Sequence, residues 1–84
     1  MKKFDKGLES IPGIGKSLAQ DLRDMGIDRV SSLKDKNAER LYAKLENLRG
    51  VHIDRCVLYT FRCAVYYAEG GRNSEKLKWW NWKD

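Results

Sequence analysis

A tight turn is encoded by the stretch Ile11-Pro12-Gly13-Ile14-Gly15-Lys16-Ser17. Proline ends a preceding helix, and Gly13 and Gly15 permit positive φ and the close approach of another backbone. Ile14 stands between the two glycines, so we expect its side chain to point inward and fix the turn to the core. Replacement of Gly15 by valine is expected to distort the turn. The stretch therefore predicts two helices joined by a compact connection.

The residues that follow the turn predict a site for an anion. Lys16 and Ser17 begin the second helix, where backbone N–H groups lack partners within the helix and carry its positive end. Together with the N–H groups of Gly13 and Gly15, they would suit one phosphate of a nucleic-acid backbone. Lys16 would add charge and Ser17 a hydroxyl donor. Such contacts position a duplex without reading its bases.

Two other glycine-rich phosphate motifs are excluded. The P-loop needs a glycine where Ser10 stands, and the dinucleotide fingerprint needs one where Leu18 stands. Both motifs also follow a β-strand, and no strand pattern precedes this turn.

Outside the turn, apolar residues recur at helical spacing along the whole chain. No alternating strand pattern survives, so the predicted fold class is all-α, with about five short helices. The predicted elements are a short helix over 4–10, a helix over 16–25 ended by Gly26, a turn or helix over 28–33, a helix over 37–49 begun by Asp35 or Asn37 and ended by Gly50, and a helix over 53–68.

The segment 53–68 is apolar nearly all round, because 12 of its 16 residues are apolar or aromatic. Such a helix must be buried on most sides. Two arrangements satisfy this requirement. Either the segment is the central helix, wrapped by the others, or part of it faces a second subunit.

Residues 72–84 form a tryptophan-rich tail that contains Trp79, Trp80 and Trp82. Three such side chains are costly to leave in water. They are expected to fold back over the aromatic helix. The alternative is a surface for stacking bases or for a protein partner, with lysines close by.

Composition predicts one small domain spanning 1–84. The chain has 84 residues with 17 Lys and Arg against 12 Asp and Glu, a net charge of +5, which draws it weakly to polyanions. No apolar run approaches the roughly 18 residues of a membrane span. We therefore expect a soluble, cytoplasmic protein without membrane contact.

Catalysis is not expected. One histidine and two cysteines are too few for a nucleophile with its base or for a set of metal ligands. The carboxylates of Asp21, Asp24 and Asp28 are expected to form a solvated helix face. Cys56 and Cys63 on one helix would lie about 10.5 Å apart, too far for a disulfide, so we expect reduced, buried thiols. A helical domain of this size also leaves little room for a small-molecule substrate.

The segment from Leu8 to Met25 resembles the helix-hairpin-helix motif of DNA-repair and recombination proteins. The pattern repeats 37 residues later in Leu48-Arg49-Gly50-Val51-His52. Two such motifs, over 8–68, are similar to the tandem helix-hairpin-helix fold. In the second motif His52 replaces a glycine and Asp54 is acidic, so we expect that half to be mainly structural. Arg49, Gly50 and His52 are its candidate DNA contacts.

The resemblance to helix-hairpin-helix proteins implies site residues in the first motif. The DNA phosphate contacts would come from Gly13, Ile14, Gly15, Lys16 and Ser17. In such proteins the turn can also hold a monovalent cation, which here would bind the backbone carbonyls of Glu9, Ile11 and Ile14. No other cofactor is expected.

The whole chain, and above all its ending Glu75-Lys76-Leu77-Lys78-Trp79-Trp80-Asn81-Trp82-Lys83-Asp84, resembles the bacterial pathogenicity-locus family, whose members are often labelled mitomycin-resistance proteins. The expected function is a non-sequence-specific DNA-binding module linked to DNA damage or repair. The alternative is a protein-interaction or homodimerisation module that uses the helix 53–68 and the tail.

Overall fold

The computed structural model describes residues 7–83. Within this range the chain forms three α-helices and three short 3-10 helices, with no β-strand. The α-helices are α1 (Lys16–Asp24), α2 (Ala38–Arg49) and α3 (Arg55–Ala68). The 3-10 helices cover Gly7–Ser10, Val30–Leu33 and Trp79–Trp82. The all-α prediction is confirmed.

Two of the predicted short helices are single 3-10 turns. The helix expected over 4–10 is described only from Gly7, as Gly7–Ser10, and its first residues lie outside the described range. The element expected over 28–33 is the 3-10 helix Val30–Leu33. Segments this short form too few hydrogen bonds to nucleate an α-helix, so the tighter 3-10 geometry is used.

The sequence signals for the helix ends are confirmed. The side chain of Asn37 accepts the Arg40 N–H at 3.0 Å, so Asn37 rather than Asp35 caps α2. Gly26 and Gly50, which follow α1 and α2, both take positive φ. That conformation ends a helix at low cost only when the residue is glycine.

Helix α3 is the central helix. It packs against α2 and against the second and third 3-10 helices. Of its residues, only Arg55 is exposed, and the rest are buried or half-buried. Of the two arrangements open to this apolar segment, the structure shows the one in which the rest of the chain covers it. The fully buried positions are Leu58, Thr60, Phe61, Cys63 and Ala64.

The tryptophan-rich tail folds back over α3, which confirms the first alternative for its described residues. The ring of Trp82 lies 5.5 Å from that of Tyr66. Its carbonyl accepts a hydrogen bond from Arg62 at 2.7 Å, and its indole N–H donates to the Lys76 carbonyl at 2.6 Å. The tail is therefore fixed by both apolar and polar contacts.

Candidate nucleic-acid interface

The first turn, residues 11–15, is anchored in the core. The Ile14 N–H donates to the Ile11 carbonyl at 3.0 Å, with Pro12 and Gly13 between them and Gly13 at φ +90°. Proline followed by a residue of positive φ is the pattern of a type II turn. Ile11 and Ile14 are 1% and 4% exposed. The prediction that Ile14 points inward is confirmed.

Gly15 differs from the sequence prediction. Its φ and ψ are −97° and −168°, an extended conformation that any residue adopts, and a Cβ at this position would meet nothing within 4 Å. Gly15 therefore does not use the positive φ that a glycine permits, whereas Gly13 does. The structure also removes the reason for expecting valine to distort the turn. The empty space beside Gly15 leaves the backbone open to an approaching group.

The N-terminus of α1 is uncapped. Gly15 is the residue before the helix and has no side chain to accept a hydrogen bond. The first helical hydrogen bond runs from the Ala19 N–H to the Gly15 carbonyl, at 2.9 Å. The N–H groups of Lys16 and Ser17 precede that bond and so lack helical partners. Both residues are exposed, so these N–H groups and the positive helix end are presented outward.

The other predicted site residues of this motif divide into two roles. Gly13, Gly15, Lys16 and Ser17 lie together on the exposed side of the turn. The Ile14 N–H instead donates to the Ile11 carbonyl within the turn, and the Ile14 side chain is buried in the core, so this residue positions the site. No residue in the range 7–83 forms an ion pair with Lys16, whose charge is available at the helix end.

The predicted cation site rests on backbone carbonyls at the same turn. Backbone carbonyl oxygens are suitable ligands for a monovalent cation. The Ile11 carbonyl already accepts the Ile14 N–H, which leaves it one lone pair. Glu9 lies in the 3-10 helix that precedes the turn. The cation stays a prediction.

The second turn, residues 50–54, shares one backbone feature with the first. Gly50 takes φ +72°, in parallel with Gly13. The hydrophobic positions differ, because Leu48 and Val51 are 50% and 59% exposed. The turn is held by α2 instead: Glu46 accepts the Ile53 N–H at 3.0 Å, and the Tyr42 hydroxyl donates to the Ile53 carbonyl.

The helix start after the second turn is closed by a carboxylate. Asp54 caps α3 and accepts the Cys56 N–H at 2.9 Å. This hydrogen bond lowers the pKa of Asp54, so the carboxylate is ionised at neutral pH. A negative charge thus occupies the helix end that would otherwise attract an anion.

The candidate contacts of the second motif are engaged within the chain. Arg49 forms ion pairs with Asp21 and Asp24 at 2.6 and 2.7 Å, and its hydrogen bond lowers the pKa of Asp24. A phosphate would have to compete with both carboxylates for this guanidinium. His52 lies 2.9 Å from Glu46, whose pKa is lowered chiefly by the Ile53 N–H. Gly50 ends α2.

The tail reaches the first turn, a contact that no sequence pattern predicts. A Cβ at Gly13 would lie 3.2 Å from Trp79 Cδ1 and 3.3 Å from the Thr60 methyl group. Trp79 and α3 therefore pack against the inner side of the turn, where a side chain at position 13 would be crowded as well as strained by the positive φ. Trp80 stands next to Trp79 and is 50% exposed, whereas Trp79 and Trp82 are half-buried.

The two cysteines are free and buried to different degrees. Burial raises the pKa of both thiols, and the Cys63 thiol donates weakly to the Leu77 carbonyl at 3.4 Å. Among residues 7–83, no group of three or more histidine, cysteine, aspartate or glutamate side chains could hold a metal ion. None of the described helices has the length and apolar character needed to cross a bilayer.

Comparison with known proteins agrees with the resemblance in the sequence. The family model described as pathogenicity locus matches residues 2–84. The mitomycin resistance protein McrB of Streptomyces lavendulae is 29% identical over 75 residues, which cover 89% of this chain and 69% of that protein. No solved structure matches. The chain belongs to the pathogenicity-locus family.

Proposed function

We propose that this chain is a non-sequence-specific DNA-binding module, and not an enzyme, whose first turn holds a backbone phosphate. The observation that carries the proposal is the uncapped N-terminus of α1, with open space beside Gly15 and an exposed Lys16. Backbone N–H groups at a helix start bind anions through direct hydrogen bonds and the helix dipole. The net charge of +5 favours a polyanionic partner in the same direction.

We further propose that residues 8–68 form a tandem helix-hairpin-helix unit. Two turns with a left-handed glycine, Gly13 and Gly50, support this proposal, since they stand 37 positions apart and each joins two helical segments. The pairing of Arg49 with Asp21 and Asp24 holds the end of α2 against α1. In this arrangement the first turn makes the closer phosphate contact.

The biological setting is also a proposal. The Streptomyces lavendulae relative is named a mitomycin resistance protein. That name supports a role in resistance to the same compound. A link to DNA damage or repair is part of the same proposal.

The test is fluorescence anisotropy with a labelled duplex at about 50 and 200 mM salt. With about two to four phosphate contacts, log K should fall by roughly 0.9 for each contact per unit of log salt. Lys16→Ala should weaken binding and make the salt dependence shallower by about one contact. These two effects together identify Lys16 as a phosphate contact.

Lys36→Ala is the matched control. Lys36 is exposed, and it lines a surface cleft together with Met25 and Ile27 at the far end of α1. The Lys36→Ala substitution removes one positive charge, as Lys16→Ala does. Comparison of the two variants therefore separates the loss of a local contact from the effect of a lower net charge. Equal losses for Lys16→Ala and Lys36→Ala, or salt-independent binding, would contradict a phosphate site at the first turn.

A protein-interaction module is the second candidate, and one observation favours it. Leu48 and Val51 are exposed, whereas the described surface of α3 is mostly covered by the chain itself. We would therefore look for such a contact at the second turn. Light scattering at high micromolar concentration tests the homodimer form of this candidate, since a monomer there excludes it.

A further inference from the structure

Trp80 differs from the other two tryptophans of the tail. It is 50% exposed, whereas Trp79 and Trp82 are half-buried. Trp79 borders Gly13, and Trp82 packs on Tyr66. The side chains of Trp79 and Trp82 therefore pack within the fold, whereas much of Trp80 is open to solvent.

The exposed ring is held in place. Trp80 lies inside the 3-10 helix Trp79–Trp82, and its ring meets that of Trp79 edge to face, with centroids 5.7 Å apart. The next residue, Asn81, donates its side-chain N–H to the Glu75 carbonyl at 2.7 Å. An aromatic ring fixed in this way loses little conformational freedom when it binds a ligand.

The position of Trp80 in the chain relates it to the first turn. Trp79 borders Gly13, and the ring of Trp80 contacts that of Trp79, so the segment that carries Trp80 runs alongside the turn. The exposed Lys83 follows in the same segment. An exposed aromatic ring on a segment that borders a proposed phosphate site and carries a positive charge is the combination that binds single-stranded nucleic acid.

We propose that Trp80 stacks on an unpaired base of the DNA whose phosphate is held at the first turn. The inference rests on the proposed function and adds the substrate class: DNA with an unpaired base, such as a gap or a single-stranded end. In an intact duplex both faces of each base are covered by its neighbours. Since every base has an aromatic face, the contact would not select a sequence.

The test compares an intact duplex with the same duplex carrying a short single-stranded gap. The parent should bind the gapped DNA more tightly. Trp80→Ala should weaken binding to the gapped DNA by about fivefold or more, the usual effect of removing one base–aromatic stack, and leave binding to the intact duplex almost unchanged.

Two further variants distinguish stacking from simple apolar contact. Trp80→Phe keeps an aromatic face and should retain most of the preference for gapped DNA. Trp80→Leu keeps apolar surface without that face and should behave like Trp80→Ala. Because the side chain is half exposed, all three variants should retain the parent's circular dichroism and remain folded at the temperature of the assay.

The outcomes separate this inference from the proposed function. Equal affinity of Trp80→Ala and the parent for gapped DNA overturns the stacking role, while duplex binding that depends on Lys16 still supports the phosphate site. An equal loss on gapped and intact DNA also overturns the substrate class. Absence of any DNA binding by the parent at low salt overturns both.

Discussion

The first and second turns share a left-handed glycine but place their hydrophobic residues on opposite sides. Ile11 and Ile14 are buried, whereas the equivalent Leu48 and Val51 are exposed. The first turn is therefore held by apolar packing. The second is held by the hydrogen bonds of Glu46 and Tyr42 to Ile53. A repeated sequence pattern thus places a glycine with positive φ at both turns without fixing how each turn is attached to the core.

The two helix starts differ in a second respect that bears on function. Helix α1 begins after a glycine and leaves its N-terminus open, whereas α3 begins after Asp54, whose carboxylate fills that position. One side chain therefore separates an open helix end, at which we propose that an anion binds, from a helix end that carries a negative charge. The comparison can be tested by exchanging these features.

The largest expected effect distinguishes the packing of the two turns. Ile14→Ala removes a buried side chain and should lower the free energy of unfolding by about 2–4 kcal/mol. Val51 occupies the equivalent position of the second turn but is exposed, so Val51→Ala should change the free energy of unfolding by less than about 0.5 kcal/mol. Chemical denaturation of both variants gives the two values. Similar losses for the two variants would mean that the turns are anchored alike.

A smaller effect is expected when the first helix start is made to resemble the second. Gly15→Asp places a carboxylate on the open N–H groups of α1. It should reduce DNA affinity by about tenfold or more, since hydrogen bonds to a charged group are lost and repulsion is added. Thermal stability should stay level or rise, because aspartate caps a helix slightly better than glycine.

Anisotropy and a melting curve measured on the same Gly15→Asp preparation check both effects. Gly15→Ala is the control, since it adds a methyl group without charge or cap. Retention of the parent's affinity by Gly15→Asp would show that the phosphate does not sit at this helix end.

The smallest effect concerns the cap of α3. Asp54→Ala should lower the melting temperature by about 3–6 °C at neutral pH, because a capping hydrogen bond is lost. The pKa of Asp54 is lowered in the folded chain, so its stabilisation is present above the unfolded value near 4 and disappears as pH falls through the folded value. The difference between parent and variant should therefore vanish in strong acid.

Melting curves at about pH 7 and pH 2 measure this dependence. Asp54→Ser provides the control, because serine caps without a carboxylate and should remove most of the pH dependence at this position. If the difference in melting temperature between the parent and Asp54→Ala persists unchanged at the lower pH, the Asp54 carboxylate is not its cause.

Much of the fold could be predicted from local sequence. The inward Ile14, the cap at Asn37 and the helix end at Gly50 all depend on residues close in the chain. The start of α3 was predicted at 53 but lies at Arg55. Asp54 is a stronger cap than the residues before it, so the helix begins after that position.

The remaining features depend on contacts between distant segments. Nothing near Arg49 indicates that it pairs with Asp21 and Asp24, which lie on another helix. Similarly, the tail could be predicted to fold back, but not that Trp79 would close over Gly13. The residues of the candidate phosphate site can therefore be named from the sequence, but the packing of the tail segment against the first turn cannot.

The contact between Trp79 and Gly13 has a consequence for the order of events during synthesis. The first turn leaves the ribosome before the tail does, yet Trp79 can pack against its inner side only when the tail has been added. A contact that spans most of the chain forms late, because the intervening segment must first be ordered. A nascent chain that stops short of the third 3-10 helix would carry a first turn that lacks its contact with Trp79. The turn that carries the proposed phosphate site would then be fully packed only after translation has passed Trp82.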